Sequence, residues 1–316
     1  MSKDVFEIKQ DKKNEPLVSV GIMAYNRPEG LRQTLECITS QTYKNLQITV
    51  SNNCSTDPRV EQIMLEYASK DSRIVPFSQI KNMGVGYNWR FVLDKSVGEY
   101  FMWAADDDYW ESEYIEEMLS LLQNNKQAVV AFCAIQEKEN SLVTDCMDKC
   151  LGLVSPNVNK RLISYMSWPD GANVKGSILY GLHRRESIRF CFYEMWPHNP
   201  KSLGTDIIIL YLLLIKGPVV FSHKVLYTVT MKNVKYVGFV YKKGEFIGSS
   251  ILLLIRKAFD TVFEREKFYF LVSRTMWKSG ASKICFFYSL YIIVIRHLHA
   301  LWAIIRFPFK KIMCQK

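Results

Sequence analysis

The first half of the chain alternates short apolar runs with segments of helical spacing. Leu17–Ala24 is a nearly continuous apolar run, the pattern of a buried parallel strand. Pro28 then stands where a helix can begin, and apolar residues recur at helical spacing through Gln41. Further strands are predicted at Leu46–Ser51, Arg73–Phe77, Tyr100–Ala105 and Ala128–Ile135, and further helices at Val60–Ser69, Tyr87–Lys95 and Tyr114–Asn124. This alternation predicts an α/β fold with a mostly parallel, Rossmann-like central sheet flanked by helices.

The alternation breaks down after the strand that ends near Ile135. Polar, loop-like sequence follows as far as Asn173, and periodicity returns at Ser177–Leu182 and in the apolar run Ile207–Ile215. The part after about Tyr241 is helical in pattern and increasingly basic. We therefore divide the chain into four stretches: a flexible leader (1–16), the two halves of one α/β domain (17–135 and 136–240), and a helical basic extension (241–316).

The net charge of +10 belongs to the end of the chain. From Lys267 to Lys316 there are nine Lys or Arg residues and no Asp or Glu. Ile284–Ile295 is an uncharged apolar run of twelve residues, too short to span a bilayer, and Arg296 interrupts its continuation. Aromatic and aliphatic residues among the cations favour an interfacial helix on an anionic membrane over contact with nucleic acid. Packing against the domain or a partner, and a true membrane span, remain as alternatives.

The cysteines and the first residues predict a cytoplasmic protein. The eight cysteines show no Cys-x-x-Cys pair and no Cys/His spacing typical of a metal site, and Met1–Pro16 contains no apolar run of the kind found in signal peptides. Scattered thiols without a signal peptide are typical of a reducing compartment. Together with the basic extension, this predicts a peripheral position on the inner face of the plasma membrane.

A polar loop follows each of the first four predicted strands. Ligands of open parallel sheets bind outside the carboxyl ends of the strands, so these loops are the candidate binding site. Their residues carry groups that bind ligands: Ala24-Tyr25-Asn26-Arg27-Pro28, Ser51 to Asp57, Lys81-Asn82-Met83-Gly84-Val85-Gly86 and Asp106-Asp107-Asp108.

The three adjacent aspartates after the fourth strand have the most specific pattern. Asp106, Asp107 and Asp108 repel one another unless a cation lies among them. Mg²⁺ and Mn²⁺ take such oxygen ligands and leave positions open for substrate phosphates. A solvated acidic turn that caps the next helix is the alternative, and the other three polar loops argue against it.

The other loops are less specific. Asn52 and Asp57 have groups that hydrogen-bond a base or a ribose, but they are also ordinary turn residues. Gly84 lets backbone amides approach a diphosphate, and Lys81 is either a phosphate contact or a solvated cation.

Three segments resemble the family 2 inverting glycosyltransferases, which have the GT-A fold of nucleotide-diphospho-sugar transferases. They are VSVGIMAYNRPEGLRQTLECITSQTYKNLQITVSNNCSTD, IKNMGVGYNWRFVL and GEYFMWAADDDYW. Ser40-Gln41-Thr42-Tyr43 matches a conserved element at the end of the first helix of that family. The resemblance is specific over about residues 17–135 and looser to about 230.

The resemblance implies a donor site, a metal site and an acceptor side. Residues 17–135 would bind a nucleotide diphosphate sugar, and 136–240 would face a glycan or lipid-linked acceptor. Asp107 and Asp108 would bind Mn²⁺ or Mg²⁺. The implied donor contacts are Ala24, Tyr25, Arg27, Asn52, Asp57, Lys81, Asn82, Gly84, Asn88 and Asp106. Two residues depart from the family pattern, because Asn52 stands where an Asp often contacts the base and Ala105 replaces the first Asp of the acidic motif.

The resemblance also implies a catalytic base just before a late helix. Asp206 precedes the run IIILYLLLIKG and fits that place, with a simple helix cap as the alternative. Trp168, Asp170 and Tyr180 are the candidate acceptor contacts, although most aromatic residues in such a chain belong to the core.

Two other functions compete with metal-assisted sugar transfer in surface glycan synthesis. A sugar nucleotidyltransferase would have a glycine-rich, Arg/Lys-bearing loop after the first strand, where this chain has AYNRP. A catalytically weak scaffold or binding protein would have no need of carboxylates at both the metal position and the base position.

Overall fold

The computed structural model describes residues 15–137, 143–144, 151–167, 176–196 and 205–229. The strands are β1 (Val18–Ala24), β2 (Leu46–Asn52), β3 (Ile74–Ser78), β4 (Tyr100–Ala105), β5 (Tyr109–Trp110), β6 (Val130–Glu137), β7 (Val143–Thr144), β8 (Leu182–Arg184) and β9 (Val219–Val229). The helices are α1 (Pro28–Thr39), α2 (Pro58–Lys70), α3 (Val85–Asp94), α4 (Tyr114–Asn124), α5 (Val158–Ser167), α6 (Arg185–Met195) and α7 (Thr205–Lys216), with a 3₁₀ turn at Ile178–Tyr180.

The described strands form one sheet in the order β3-β2-β1-β4-β8-β6-β9-β5, with β7 paired to β6. The first four strands in that order are parallel, and β6 and β9 are parallel to each other. Strands β5, β7 and β8 form short antiparallel pairs with their neighbours. Most paired residues therefore lie in parallel ladders, and the carboxyl ends of β1 to β4 share one edge of the sheet.

Sequence patterns explain where the first elements begin. All seven residues of β1 are buried, as expected for a strand covered on both faces. Helix α1 starts at Pro28, whose fixed φ suits the first helical position, and it buries Leu31, Leu35 and Ile38 on one face. Helix α2 starts at Pro58, and the carboxylate of Asp57 caps it by accepting a hydrogen bond from a backbone N–H.

An aromatic core lies between the sheet and helices α3 and α6. The buried Trp103 of β4 stacks on Trp89 at 5.6 Å between ring centroids and meets Phe101 edge-on at 4.8 Å. Its indole N–H donates to the backbone carbonyl of Trp89 at 3.1 Å. His183 of β8 is fully buried against the same ring. This cluster supports β4 immediately before the aspartates.

The sequence-based elements of the first half are confirmed, with ends that shift by only a few residues. The α/β fold class is confirmed as well. The extension 241–316 and residues 1–14 of the leader lie outside the described residues, so the four-part division of the chain stays a prediction. Within the described part of the chain, we find no helix long and apolar enough to cross a membrane.

Candidate functional site

The loops that follow β1 and β2 are joined by the side chain of Asn26. Its Oδ1 accepts hydrogen bonds from the backbone N–H of Thr56 at 2.8 Å and of Asp57 at 3.2 Å. Its own N–H donates to the hydroxyl of Ser55 at 3.0 Å. Asn26 has a φ of +53°, in the left-handed region that Asn tolerates better than most residues. The two loops are thereby held together at the carboxyl edge of the sheet.

Asn53 joins the loop after β2 to the loop after β3. Its amide donates to Asn82 Oδ1 at 3.1 Å and to the carbonyl of Gly84 at 3.3 Å, and its Oδ1 accepts from the N–H of Met83 at 3.0 Å. Gly84 has a φ of +88°, a conformation that favours glycine. The loop that begins helix α3 is therefore held against the loop after β2 by one buried amide.

Arg27 joins the first loop to the aspartates after β4. Its Nη1 lies 2.9 Å from Asp106 Oδ1 and 2.7 Å from Asp107 Oδ2. The backbone N–H of Tyr25 also donates to Asp106 Oδ2 at 3.3 Å. Two carboxylate oxygens from neighbouring residues thus converge on one cationic atom.

Burial and neighbouring opposite charges shift the pKa values of Arg27 and Asp106 in opposite directions. Burial raises the pKa of Asp106, and the adjacent guanidinium of Arg27 limits the rise. Burial alone would lower the pKa of Arg27, but the neighbouring carboxylates of Asp106 and Asp107 raise it. Arg27 therefore remains a cation beside the aspartates, and its side chain is 45% exposed.

Asp108 faces a different partner from its two neighbours. The residue is 3% exposed, and its Oδ2 accepts a hydrogen bond from the hydroxyl of Tyr227 at 2.5 Å. Tyr227 lies near the end of β9, more than a hundred residues away in sequence. Burial, with the adjacent Asp108 carboxylate, raises the pKa of Tyr227 well above its usual value, so the hydroxyl keeps its proton. No pattern in the sequence singled out this tyrosine.

Helix α1 packs closely against the backbone of the aspartate loop. A Cβ at Gly30 would lie 1.8 Å from the carbonyl oxygen of Asp106, far inside contact distance. One turn later, the hydroxyl of Thr34 donates to the carbonyl of Ala105 at 2.8 Å. The absence of a side chain at Gly30 therefore allows the helix to reach the loop. Sequence reasoning missed Gly30, whose signal was a glycine inside the first turn of a helix.

The polar residues predicted to contact the donor occupy different environments. Lys81 and Asn82 are exposed, whereas Asn52 is buried with its Oδ1 accepting from the N–H of Ser55 at 2.9 Å. Asp57 caps α2 and also pairs with Arg59. These side chains lie around the joined loops, and their contacts with a donor stay predictions.

Asn88 and Ala24 are also buried. The amide of Asn88 accepts from the hydroxyl of Ser51 at 2.6 Å and donates to the carbonyl of the same residue at 3.1 Å. Ala24 is the last residue of β1 and is 1% exposed. In this structure Asn88 ties α3 to β2, and a role for either residue in donor binding stays a prediction.

The acceptor-side candidates are described in part. Asp206 is the second residue of α7, half-buried, and a Cβ at Gly176 would lie 2.9 Å from its Oδ2. Tyr180, which closes the short segment that begins near Gly176, lies 6.3 Å from the ring of Tyr227 and 6.1 Å from that of Trp89. The predicted base and the predicted aromatic contact thus flank one short segment. Trp168 and Asp170 lie outside the described residues.

Ligand-type side chains in the described part of the chain do not form a ready-made metal cage. No group of three or more His, Cys, Asp and Glu side chains is arranged to hold a metal ion there. The cysteines described in that part, Cys37, Cys54, Cys133 and Cys191, form no disulfide there. Two converging carboxylates still suit Mg²⁺, which is commonly bound by one or two carboxylates together with substrate phosphates. The chemistry of Asp106 and Asp107 therefore fits such an ion.

Comparison with known proteins finds one family that the first half of the chain resembles. Residues 19–149 match the family model described as glycosyl transferase family 2. An uncharacterised glycosyltransferase of Rickettsia typhi is 32% identical over 131 residues, which cover 40% of this chain and 40% of that protein. The chain thus matches about two fifths of that relative's length.

Two solved structures share the fold. Staphylococcus aureus TarS 1–349 in complex with UDP-GlcNAc aligns with a TM-score of 0.58 at 15% identity, over 90% of this chain and 73% of that chain. Mannosyltransferase PcManGT from Pyrobaculum calidifontis, in complex with GDP-Man and Mn²⁺, aligns with a TM-score of 0.54 at 13% identity, over 96% of this chain and 76% of that chain. The family match, the relative and the shared fold together confirm the resemblance seen in the sequence: residues 19–149 match glycosyl transferase family 2, and the described chain has the GT-A fold.

Proposed function

We propose that the protein transfers a sugar from a nucleotide diphosphate sugar to an acceptor hydroxyl, with inversion at the sugar carbon and with a divalent cation. The observation that carries this proposal is the convergence of Asp106 and Asp107 on one cationic atom, at an edge where four loops are joined. The likeness to structures solved with UDP-GlcNAc and with GDP-Man and Mn²⁺ supports it. The identities of the nucleotide base and of the sugar are left open by this proposal.

The donor would lie across the joined loops. Arg27 and Lys81 would provide positive charge beside a bound diphosphate, and Tyr25 is 41% exposed next to Asp106. Charge-assisted hydrogen bonds from such side chains hold phosphate oxygens well. Asn52 and Asp57 are the proposed contacts for the base or ribose, with Asn82, Gly84, Asn88 and Ala24 at the borders of the site.

The carboxylates after β4 are the proposed metal ligands, with Asp106 shared between the ribose and the metal. A divalent cation bound there would neutralise the charge that develops on the leaving diphosphate. Asp107 would provide one oxygen ligand at the exposed side of the cluster, and Asp108 would provide another from the buried side. In the structure, the cationic group of Arg27 lies against oxygens of Asp106 and Asp107.

Asp206 is the proposed general base. In the reaction, the acceptor oxygen would form a bond to the sugar carbon on the face opposite the diphosphate, and the bond from that carbon to the diphosphate oxygen would break. The proton of the acceptor hydroxyl would pass to the Asp206 carboxylate. Tyr180 lies at the other end of the segment that begins at Gly176, so an aromatic ring is available to stack on an acceptor sugar.

The acceptor and the location are proposed from the sequence. A surface glycan or a lipid-linked acceptor would agree with nine cations and no acids between Lys267 and Lys316, because such an extension suits an anionic membrane surface. We propose a cytoplasmic protein held on the inner face of the plasma membrane.

Hydrolysis of a panel of nucleotide sugars tests the function without an acceptor, because water takes the acceptor's place. UDP-GlcNAc, UDP-glucose and GDP-mannose would each be incubated with the protein, with and without Mn²⁺. We expect release of nucleoside diphosphate from at least one donor, and only when Mn²⁺ is present. Asp107→Ala should abolish it, whereas the control Glu186→Ala, which removes a 75% exposed carboxylate from α6, should not.

The same assay tests the proposed general base and distinguishes sugar transfer from the competing functions. Asp206→Asn should bind the donor normally and lose turnover by roughly 10²–10⁴-fold, the usual range for loss of a general base. If the wild-type protein binds a donor but does not turn it over, either without or with candidate acceptors, the result would favour a scaffold. Formation of a nucleotide sugar from a sugar phosphate and a nucleoside triphosphate would favour a nucleotidyltransferase.

A further inference from the structure

Tyr227 contacts the aspartate cluster from a distant strand. It lies on β9, is fully buried, and donates its hydroxyl hydrogen to Asp108 Oδ2 at 2.5 Å. None of the residues in the first four loops supplies this contact. The hydrogen bond therefore links the two halves of the domain at the proposed metal site.

The ring of Tyr227 is held in place independently of its hydroxyl. It stacks on Trp110 with ring centroids 5.3 Å apart and meets Phe132 edge-on at 5.9 Å. The backbones of Tyr227 and Trp110 are opposed in the antiparallel pairing of β5 and β9. Next to them, the N–H of Glu111 donates to the carbonyl of Leu226 at 3.0 Å. Since these contacts do not involve the hydroxyl, its oxygen has a defined position beside Asp108.

The uncharged hydroxyl of Tyr227 has a particular effect on the Asp108 carboxylate. A buried carboxylate requires hydrogen-bond partners, since desolvation is costly. Arg27 meets this need for Asp106 and Asp107 with a positive charge, whereas Tyr227 meets it for Asp108 without one. A phenol hydroxyl orients the carboxylate and adds no charge of its own.

We propose that Tyr227 is a positioning residue for the metal: its hydroxyl holds the Asp108 carboxylate in the orientation in which Asp108 helps to bind the divalent cation beside Asp107. This inference rests on the proposed function, since it assigns Tyr227 a part in the same site. Carboxylates that bind metals are commonly oriented by hydrogen bonds of this kind, and loss of such a bond typically weakens metal affinity by about 10–100-fold.

Direct titration with Mn²⁺ tests the proposal apart from turnover. Free Mn²⁺ would be followed by electron paramagnetic resonance in the presence of UDP, for the full chain and for Tyr227→Phe. The substitution keeps the ring on Trp110 and removes only the hydroxyl. We expect Mn²⁺ to bind at least about 10-fold more weakly, and UDP binding without metal to be unchanged.

Tyr114→Phe is the matched control. Tyr114 is also fully buried, and its hydroxyl donates to the backbone carbonyl of Tyr180 at 3.1 Å instead of to a carboxylate. Both variants should lose a similar amount of thermal stability, because each loses one buried hydrogen bond. Only Tyr227→Phe should lose Mn²⁺ affinity. An equal loss of Mn²⁺ affinity in both variants would overturn the proposal and indicate a purely structural role.

A double-mutant cycle with Asp108→Asn identifies the route of the effect. If Tyr227 acts through Asp108, adding Tyr227→Phe to Asp108→Asn should weaken Mn²⁺ binding no further. Additive losses would overturn the proposal. Wild-type Mn²⁺ affinity in Tyr227→Phe would also overturn it, and that outcome would leave the proposed sugar transfer intact.

The wild-type protein separates this inference from the proposed function. Failure of the wild-type protein to bind Mn²⁺ at all would remove both the metal site and this inference. Failure to turn over any donor while Mn²⁺ still binds would count against the function alone.

Discussion

At the scale of single residues, the polar side chains after the strands have two roles. Asn26 and Asn53 turn their amides toward the backbone of a neighbouring loop, while Tyr25 and Arg27 remain substantially exposed. Short amide side chains suit the first role because they hydrogen-bond locally and Asn accepts left-handed backbone conformations. The site is therefore a set of exposed groups on a hydrogen-bonded support.

Gly30 is the residue at which a single methyl group should affect the site most. Gly30→Ala would place a Cβ 1.8 Å from the carbonyl oxygen of Asp106, so the helix or the aspartate loop has to move. We expect a stability loss of about 1–3 kcal/mol, the usual cost of overpacking, and a marked loss of Mn²⁺-dependent UDP binding. Calorimetric titration and thermal unfolding would measure the two effects.

Gly21→Ala serves as the control for overpacking. Its Cβ would lie 2.6 Å from a side-chain carbon of Val92, in the core below the site. A comparable loss of stability with nearly normal UDP affinity is expected there. If Gly30→Ala bound Mn²⁺ and UDP as the wild-type protein does, the close approach of α1 would have no part in shaping the site.

At the scale of elements, the short strand β8 places a buried imidazole in the middle of the sheet. His183 is fully buried beside Trp103, and its Nε2 lies 2.8 Å from the carbonyl oxygen of Leu179. Burial lowers the pKa of His183 to about 4. The ring is therefore neutral in the folded protein at neutral pH, with Nε2 as the donor of that hydrogen bond.

This histidine should make folding sensitive to mild acid. In the unfolded chain its pKa is close to 6.5, so between pH 6.5 and about 4 the unfolded state binds a proton that the folded state does not. Stability therefore falls as the pH falls through that window. Between pH 7 and pH 5 the His183 contribution is about 2 kcal/mol, since each pKa unit corresponds to about 1.4 kcal/mol.

His183→Gln provides the comparison, because glutamine can donate the same hydrogen bond and does not titrate. The free energy of unfolding in urea would be measured for both proteins at pH 7 and pH 5. Carboxylates such as Asp71 and Glu66 titrate equally in both, so the difference between the proteins isolates the histidine. An identical pH dependence in the two proteins would show that His183 does not titrate as inferred.

At the scale of the whole molecule, the charge and the chemistry lie in different parts of the chain. The first 266 residues contain 32 Lys and Arg against 31 Asp and Glu, while the remainder contains nine cations and no acids. The parallel half of the sheet carries the joined loops, and Tyr227 of β9 contacts Asp108 from the other half. This separation predicts that membrane attachment and donor binding are independent properties.

Attachment to anionic vesicles tests that separation. The full chain should bind vesicles containing phosphatidylserine and bind pure phosphatidylcholine weakly. Replacing Arg306, Lys310 and Lys311 with Gln should weaken binding roughly a hundredfold, since each cation near the surface contributes about 1 kcal/mol. UDP binding should not change. High salt should weaken attachment only in part, because apolar burial also contributes. Extraction that requires detergent under every condition would favour a membrane span.

The order of the elements in the first half, and the sheet edge of the candidate site, follow from local patterns in the sequence. Apolar period and helix-start residues are local properties, so β1 to β4 and α1 to α4 were predictable from the chain. The rule that ligands bind at carboxyl ends of parallel strands then indicated the four loops. The acidic motif was equally visible, because three adjacent carboxylates after an apolar strand are a local pattern.

What each polar residue of those loops contacts depends on packing between distant segments of the chain. Asn52 and Asn53 are adjacent and chemically identical, yet one caps a turn in its own loop and the other holds the loop after β3. The roles of Gly30 and Tyr227 depend on packing between segments about 80 and 120 residues apart in sequence, which no local pattern encodes. Hydrophobic periodicity places a residue on a face, but contacts across the sheet edge depend on how several faces meet in space.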